Sequence, residues 1–170
     1  MAKSLVEGFV QQLKNAGITH VTSVPDGYLA PLIEQVVVDD HFTHIPAARE
    51  EECIGIASGL AMGGKKPLVM MQNVGFLNSI GCFATLPQNY KIPFVVLVAH
   101  RGNLYDQTKY DVAKYRPFAK AVEGLQVFTA SWQQHRDEKD IVKLCQQRAE
   151  TASEPVLLLL DFPPQHEVAC

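Results

Sequence analysis

The chain has 170 residues, of which 47% are apolar and 19% charged, with a formal net charge of −3. That length and composition fit one globular domain with a sizeable core and exclude an intrinsically disordered chain. The acidic balance, with no stripe of Lys and Arg interleaved with aromatics, argues against nucleic acid as a partner, and apolar runs such as VLLLL are far too short to cross a bilayer.

Leu5, Phe9 and Leu13, with Val6 and Val10, repeat at helical spacing and predict a helix over residues 4–16, with Ser4 as N-cap and Gly17 as its stop. ITHVTSV, residues 18–24, reads as a β-branched strand broken by Pro25, Asp26 and Gly27, and a helix follows over about 29–37. FTHIPA predicts a second strand. Three carboxylates, Glu50, Glu51 and Glu52, then open a helix rich in small apolar residues that ends near Gly63 and Gly64. LVMMQ predicts a third strand, NVGFLNS a polar turn with glycine, and residues 78–86 another helix. PFVVLVAH is a continuous apolar run of the kind buried on both faces of a sheet. Residues 101–117 are polar, with Gly102, Asp106 and Pro117, and read as a long functional loop. QVFTA predicts a fifth strand, residues 135–150 a charged amphipathic helix, and PVLLLLDFPP a sixth strand.

Strand and helix alternate, and several strands are apolar throughout. The expected fold is therefore α/β: a doubly wound, mostly parallel six-stranded sheet with helices on both faces, forming a single domain over 1–170. Ligands of such sheets bind at the carboxyl ends of the strands. PDGY, AAREEE, NVGFLNS and HRGNLYDQ are the segments expected to meet there. No G-x-G-x-x-G follows the first strand, and neither a G-x-x-x-x-G-K-[ST] nor a G-x-S-x-G occurs. His41 and His44 straddle a predicted strand without a third ligand nearby, which weighs against a metal site. Cys53, Cys82, Cys145 and Cys170 show no C-x-x-C or zinc-like spacing and read as reduced thiols of a cytoplasmic protein. The N-terminus MAKSLVEGF carries no long apolar segment before a cleavage site, so no signal peptide is expected.

The glutamate cluster draws attention because a carboxylate beside a packed, nearly uncharged segment is costly to bury without a partner. Acidic residues favour helix N-termini by roughly 0.3–1 kcal/mol each, which explains two of the three. Asp26, in turn, reads as a turn or helix-capping residue.

The segments REEECIGIASG and QNVGFLNSIG, with GITHVTSVPDGYLAPLIE before them, resemble the pyrimidine-binding domain of thiamine-diphosphate-dependent decarboxylases. More narrowly, the resemblance is to the alpha subunits of sulfopyruvate decarboxylases and the matching half of phosphonopyruvate decarboxylases, and it covers essentially the whole chain. It implies the thiamine-diphosphate-binding fold and a 2-oxo acid decarboxylase. It also implies that Glu50, seven residues before the A-S-G step at Ala57, hydrogen-bonds N1′ of the cofactor's aminopyrimidine. A carboxylate there favours the tautomer whose 4′-imino nitrogen takes the proton from thiazolium C2, and carbon dioxide leaves because the thiazolium accepts the electron pair.

By the same match Asp26 is a catalytic acid near the substrate. Gln72, Asn73, Gly75 and Asn78 are cofactor contacts, Gly75 giving the backbone room to approach the ring. His100 and Arg101 are placed at the substrate, Arg being suited to a carboxylate, phosphonate or sulfonate. Relatives often read Q-N-S-G-L-G-N, where this chain has Val74 and Leu77 for Ser and the second Gly; the departure bears on the substrate.

Enzymes of this group hold the diphosphate through Mg²⁺ on a second domain marked by G-D-G, which this chain does not contain. The resemblance therefore implies a beta subunit that holds the Mg²⁺ and completes the active site, with a homodimer possible in isolation. The implied reaction takes 3-sulfopyruvate to sulfoacetaldehyde and carbon dioxide, on the way to coenzyme M in relatives. The alternatives are phosphonopyruvate or another 2-oxo acid as substrate, a non-catalytic pyrimidine-domain scaffold subunit, or a flavodoxin-like small-ligand module.

Overall fold

The computed structural model describes residues 3–106, 108–135 and 140–161. Six strands form one sheet in the order β2-β1-β3-β4-β6-β5, and every neighbouring pair is parallel. The strands are β1 (His20–Ser23), β2 (Thr43–Pro46), β3 (Pro67–Gln72), β4 (Val95–His100), β5 (Phe128–Ser131) and β6 (Val156–Asp161). Parallel strands need crossovers, and the helices supply them: α1 (Lys3–Asn15) precedes β1, and α2 (Ala30–Val38), α3 (Glu50–Met62), α4 (Asn73–Phe83), α5 (Lys109–Leu125) and α6 (Ile141–Ala152) connect successive strands.

The pleat divides the core in two. Leu68 and Met70 of β3, with Val95, Leu97 and Ala99 of β4, face α1, α2 and α6. Val69 and Met71, with Val96 and Val98, face α3, α4 and α5 through Ile54, Phe76, Phe83 and Phe118. All six residues of β4 are buried, as its unbroken apolar run predicts. Among them Val95–Val98 carry no exposed surface, and burying such a side chain stabilises the fold by roughly 1.5–3 kcal/mol.

The local reading needs three corrections. NVGFLNS is not a turn: Gln72 is the last residue of β3, and α4 begins at Asn73 without a loop. Strand and helix here abut directly, so the polar Asn and the Gly lie in the first helical turn. The helix expected over 78–86 thus starts five residues early and ends in a π-helical turn, Ala84–Gln88, which contains Pro87. Proline cannot donate the ordinary i−4 hydrogen bond, and a widened turn accommodates that loss.

The long loop is shorter than expected. Only residues 101–108 lie between β4 and α5, because α5 carries Pro117 in its interior on an exposed face. Buried Phe118 and partly buried Val122 and Leu125 anchor that helix to the core in spite of the proline. Of the helix expected over 135–150, the described part runs from Ile141 and continues to Ala152. Residues 136–139 of that prediction, the last residues of PVLLLLDFPP, and Cys170 lie outside the described residues.

Candidate active site

The strand order fixes where a cleft can form. From β1 the chain crosses to β2 on one side, and from β2 it returns to β3 on the other side of β1. The connections leaving the carboxyl ends of β1 and β3 therefore diverge, which opens a crevice at the topological switch point. A cavity of about 270 Å³ lies there, lined by Asp26 after β1, Glu50 after β2, Gln72 and Val74 at the β3–α4 junction, and Tyr110 and Lys114 of α5. Asp26 also lines a larger cavity of about 450 Å³ that reaches Ile33 of α2 and His44 of β2.

The three adjacent glutamates separate by task. Glu52 accepts the backbone N–H groups of Ala48 and Arg49 at 2.9 and 3.1 Å, closing the N-terminus of α3. Glu51 pairs with the Arg49 guanidinium at 2.9 Å, which holds its carboxyl below the usual glutamate range. Both are accounted for by the helix start itself. Glu50 instead turns into the cavity and lies against Gly75. A Cβ at position 75 would stand 2.6 Å from the Glu50 carboxyl carbon, so only glycine permits this side chain to lie there. Gly75 thus makes room for the acid. Among the described residues no side chain donates a hydrogen bond to Glu50.

Asp26 is both a turn residue and a cleft residue. Its Oδ1 accepts the N–H groups of Tyr28 and Leu29 at 2.9 and 2.8 Å, an Asx-type turn leading into α2. Its Oδ2 accepts the Gln72 amide at 3.0 Å. The end of β1 and the end of β3 are thereby tied across the switch point, with one carboxylate fixed in the cavity.

The remaining expected residues lie differently. Asn73 is fully buried and donates through Nδ2 to the Arg101 carbonyl at 3.0 Å. It braces the β4 exit and is not among the residues lining the cavity. Asn78 is exposed on α4, outside that lining as well. The His100 ring nitrogen Nδ1 pairs with Asp161 at 2.7 Å, and its ring stacks on Tyr115 with centroids 4.6 Å apart. Arg101 lies in an ion-pair network: Nε to Asp106 at 2.7 Å and Nη2 to Asp111 at 3.0 Å. Burial alone would push the Asp106 carboxyl up. The Arg101 hydrogen bond, with N–H donors from Thr108 and Gly102, outweighs that and holds it well below its ordinary value. Gly102 has φ +94°, and a Cβ there would run into the Asp111 carbonyl, so the β4–α5 loop closes tightly on this network. Arg101 and His100 therefore meet protein partners where the sequence suggested a ligand.

Tyr110 and Lys114 were hidden by the loop reading of 101–117. Helical spacing from Tyr110 to Lys114, one turn apart, was the available signal.

Residues 3–126 match the family model described as thiamine pyrophosphate enzyme, N-terminal TPP binding domain, and the chain belongs to that family. It is similar to the sulfopyruvate decarboxylase subunit alpha of Methanocaldococcus jannaschii, with 32% identity over 149 residues that cover 88% of each chain. It is also similar to the phosphonopyruvate decarboxylase of Streptomyces viridochromogenes, 34% identical over 101 residues, 59% of this chain and 24% of that one. The fold matches the crystal structure of benzoylformate decarboxylase from Polynucleobacter necessarius with a TM-score of 0.65 at 18% identity, over 92% of this chain and 29% of that one. No helix among the described residues is long and apolar enough to cross a membrane.

Proposed function

We propose that this chain is the pyrimidine-binding, alpha-type subunit of a thiamine-diphosphate-dependent 2-oxo acid decarboxylase acting on 3-sulfopyruvate. The observation that carries the reading is Glu50: an acid turned into the switch-point cavity, seated over Gly75 and hydrogen-bonded by no described side chain. That placement fits an aminopyrimidine, whose N1′ needs an acid to share its proton. Thiamine diphosphate, when bound, supplies the nucleophilic carbon and the electron sink for decarboxylation. Glu50 holds the proton at N1′. Asp26, oriented by Gln72 and by two backbone N–H groups, is the acid on the substrate side of the cavity. A carboxylate fixed in advance by hydrogen bonds loses little on meeting the reacting atoms.

The other half of the site comes from a beta subunit that holds the diphosphate through Mg²⁺; the naming of the methanogen relative as a subunit alpha supports a partner subunit. In isolation the chain is able to form a homodimer, and it works in the cytoplasm, where the free thiols of Cys53, Cys82 and Cys145 stay reduced. Phosphonopyruvate is the second substrate to test, favoured by the Streptomyces relative.

The test is reconstitution with the diphosphate-domain partner, thiamine diphosphate and Mg²⁺, followed by release of carbon dioxide from 3-sulfopyruvate, 3-phosphonopyruvate and pyruvate. Preference for 3-sulfopyruvate is expected, with Glu50→Gln lowering kcat about 10²–10⁴-fold while assembly is kept. An active Glu50→Gln complex would falsify the role of the acid.

A further inference from the structure

We propose that Lys114 of α5, and not Arg101, reads the second anionic group of the substrate. The inference rests on the 2-oxo acid decarboxylase reading. A substrate such as 3-sulfopyruvate carries a carboxylate and a sulfonate, whereas the cavity already holds the carboxylates of Asp26 and Glu50. A cation at the cavity would offset that charge, and Lys114 is the only cationic residue among the described residues lining it.

The position of its ammonium is fixed from two sides. Nζ lies 3.1 Å from Oδ1 of Asp111, a carboxylate with no exposed surface, and 4.7 Å from the centre of the Tyr110 ring. Asp111 is itself ion-paired to Arg101 at 3.0 Å, and Arg101 to Asp106 at 2.7 Å. Charges therefore alternate along one line from the loop to the cavity: Asp106, Arg101, Asp111, Lys114. Arg101 sits one step back, with its side chain only 12% exposed, and acts by holding Asp111. Asp111 in turn steadies an ammonium that still has donors to spare, because Lys carries three. The outer member of the line is the one that meets a ligand.

Two of the cavity's neighbours give this reading its selectivity. The Val74 side chain offers no polar group at the β3–α4 junction, so no side chain at that position competes with Lys114 for an anion. Tyr110 stands over the ammonium and is 66% exposed on this chain; its ring shields the cation from water without neutralising it.

The experiment uses the complex reconstituted with the diphosphate-domain partner. Lys114→Met and Lys114→Arg are compared with the parent complex for KM and kcat on 3-sulfopyruvate and pyruvate, and for calorimetric binding of two unreactive analogues, 3-sulfopropionate and propionate. Losing one charge-assisted contact predicts a rise in KM for 3-sulfopyruvate and weaker 3-sulfopropionate binding, each by roughly ten- to hundredfold in Lys114→Met. Pyruvate and propionate are expected to change by less than about threefold, and Lys114→Arg to restore most of the loss, since it keeps the charge. Equal effects on the sulfonated and unsulfonated compounds, or no effect on either, would overturn the assignment while leaving the decarboxylase reading in place. A parent complex that releases carbon dioxide from none of the 2-oxo acids would sink the decarboxylase reading, and the Lys114 assignment with it.

Discussion

Two ends of the same sheet edge carry charged residues, and they use them in opposite ways. At the exits of β4 and β6, His100, Arg101, Asp106, Asp111 and Asp161 are paired with one another. At the exits of β1, β2 and β3, Asp26 keeps only neutral donors and Glu50 has no described hydrogen-bond donor. Both ends look alike in that each places acids beside the carboxyl ends of strands. The difference is that the acids of one network are taken up by cations and backbone N–H groups of the chain, while the other end leaves acid oxygen directed at a cavity. A charge at the carboxyl edge of a parallel sheet points to chemistry where it also lines a cavity, and to structure where its partners close it off.

The largest expected effect falls on the closed network. Asp106→Ala leaves the buried Arg101 guanidinium with one carboxylate fewer, and breaking a buried pair costs about 3–5 kcal/mol. For a chain of this size that lowers Tm by roughly 6–20 °C, readable by scanning calorimetry. The same residue predicts a pH dependence. Its folded-state pKa is depressed, so its stabilisation is fully present above the unfolded value of about 3.9 and is lost as pH falls through that value toward the folded one. Asp106→Ala removes this portion, so its stability is expected to fall less steeply with acid below about pH 4. An unchanged Tm would show that the β4 end is not held by this network.

At the open end the expected effects fall on activity. Gly75→Ala forces the Glu50 side chain out of its seat, and a displacement of about 1 Å at a reacting group costs on the order of a hundredfold in rate. The measurement is kcat of the reconstituted complex, and a fully active Gly75→Ala would mean that Glu50 has no need of that seat. Gln72→Leu releases one oxygen of Asp26 and is expected to lower kcat/KM about tenfold, the low end for one hydrogen bond to a charged group. Asn78→Ala is expected to change neither kcat nor Tm beyond about 0.5 kcal/mol, as for other exposed positions; a larger loss of activity would mean that the partner subunit brings Asn78 to the site.

The fold was legible because its strongest signals are long-range burial patterns. The run PFVVLVAH could only be a strand covered on both faces, and the alternation of strands with helices allowed few arrangements other than a doubly wound sheet. The residues of the cleft were legible where one segment contained the whole signal, as in the P-D-G turn at Asp26 and the glutamates before α3. What stayed hidden depended on partners remote in the chain. Nothing in HRGNLYDQ reveals that Arg101 is claimed by Asp106 and Asp111, because that depends on the loop folding back over Gly102. Pro117 and Gly102 suggested a loop, yet tertiary anchoring through Phe118 keeps α5 helical and so brings Lys114 to the cavity. The seat that Gly75 gives Glu50 was hidden for a related reason: a glycine needed for close approach looks the same in sequence whether the neighbour is a ligand or a side chain.

The most direct measurement is the structure of the reconstituted complex with thiamine diphosphate bound. The account predicts that a Glu50 carboxylate oxygen lies within hydrogen-bond distance of N1′ of the aminopyrimidine, about 2.7 Å, with Gly75 directly beneath it. A pyrimidine ring whose N1′ is met by another residue, with Glu50 turned to solvent or to the subunit interface, would contradict it.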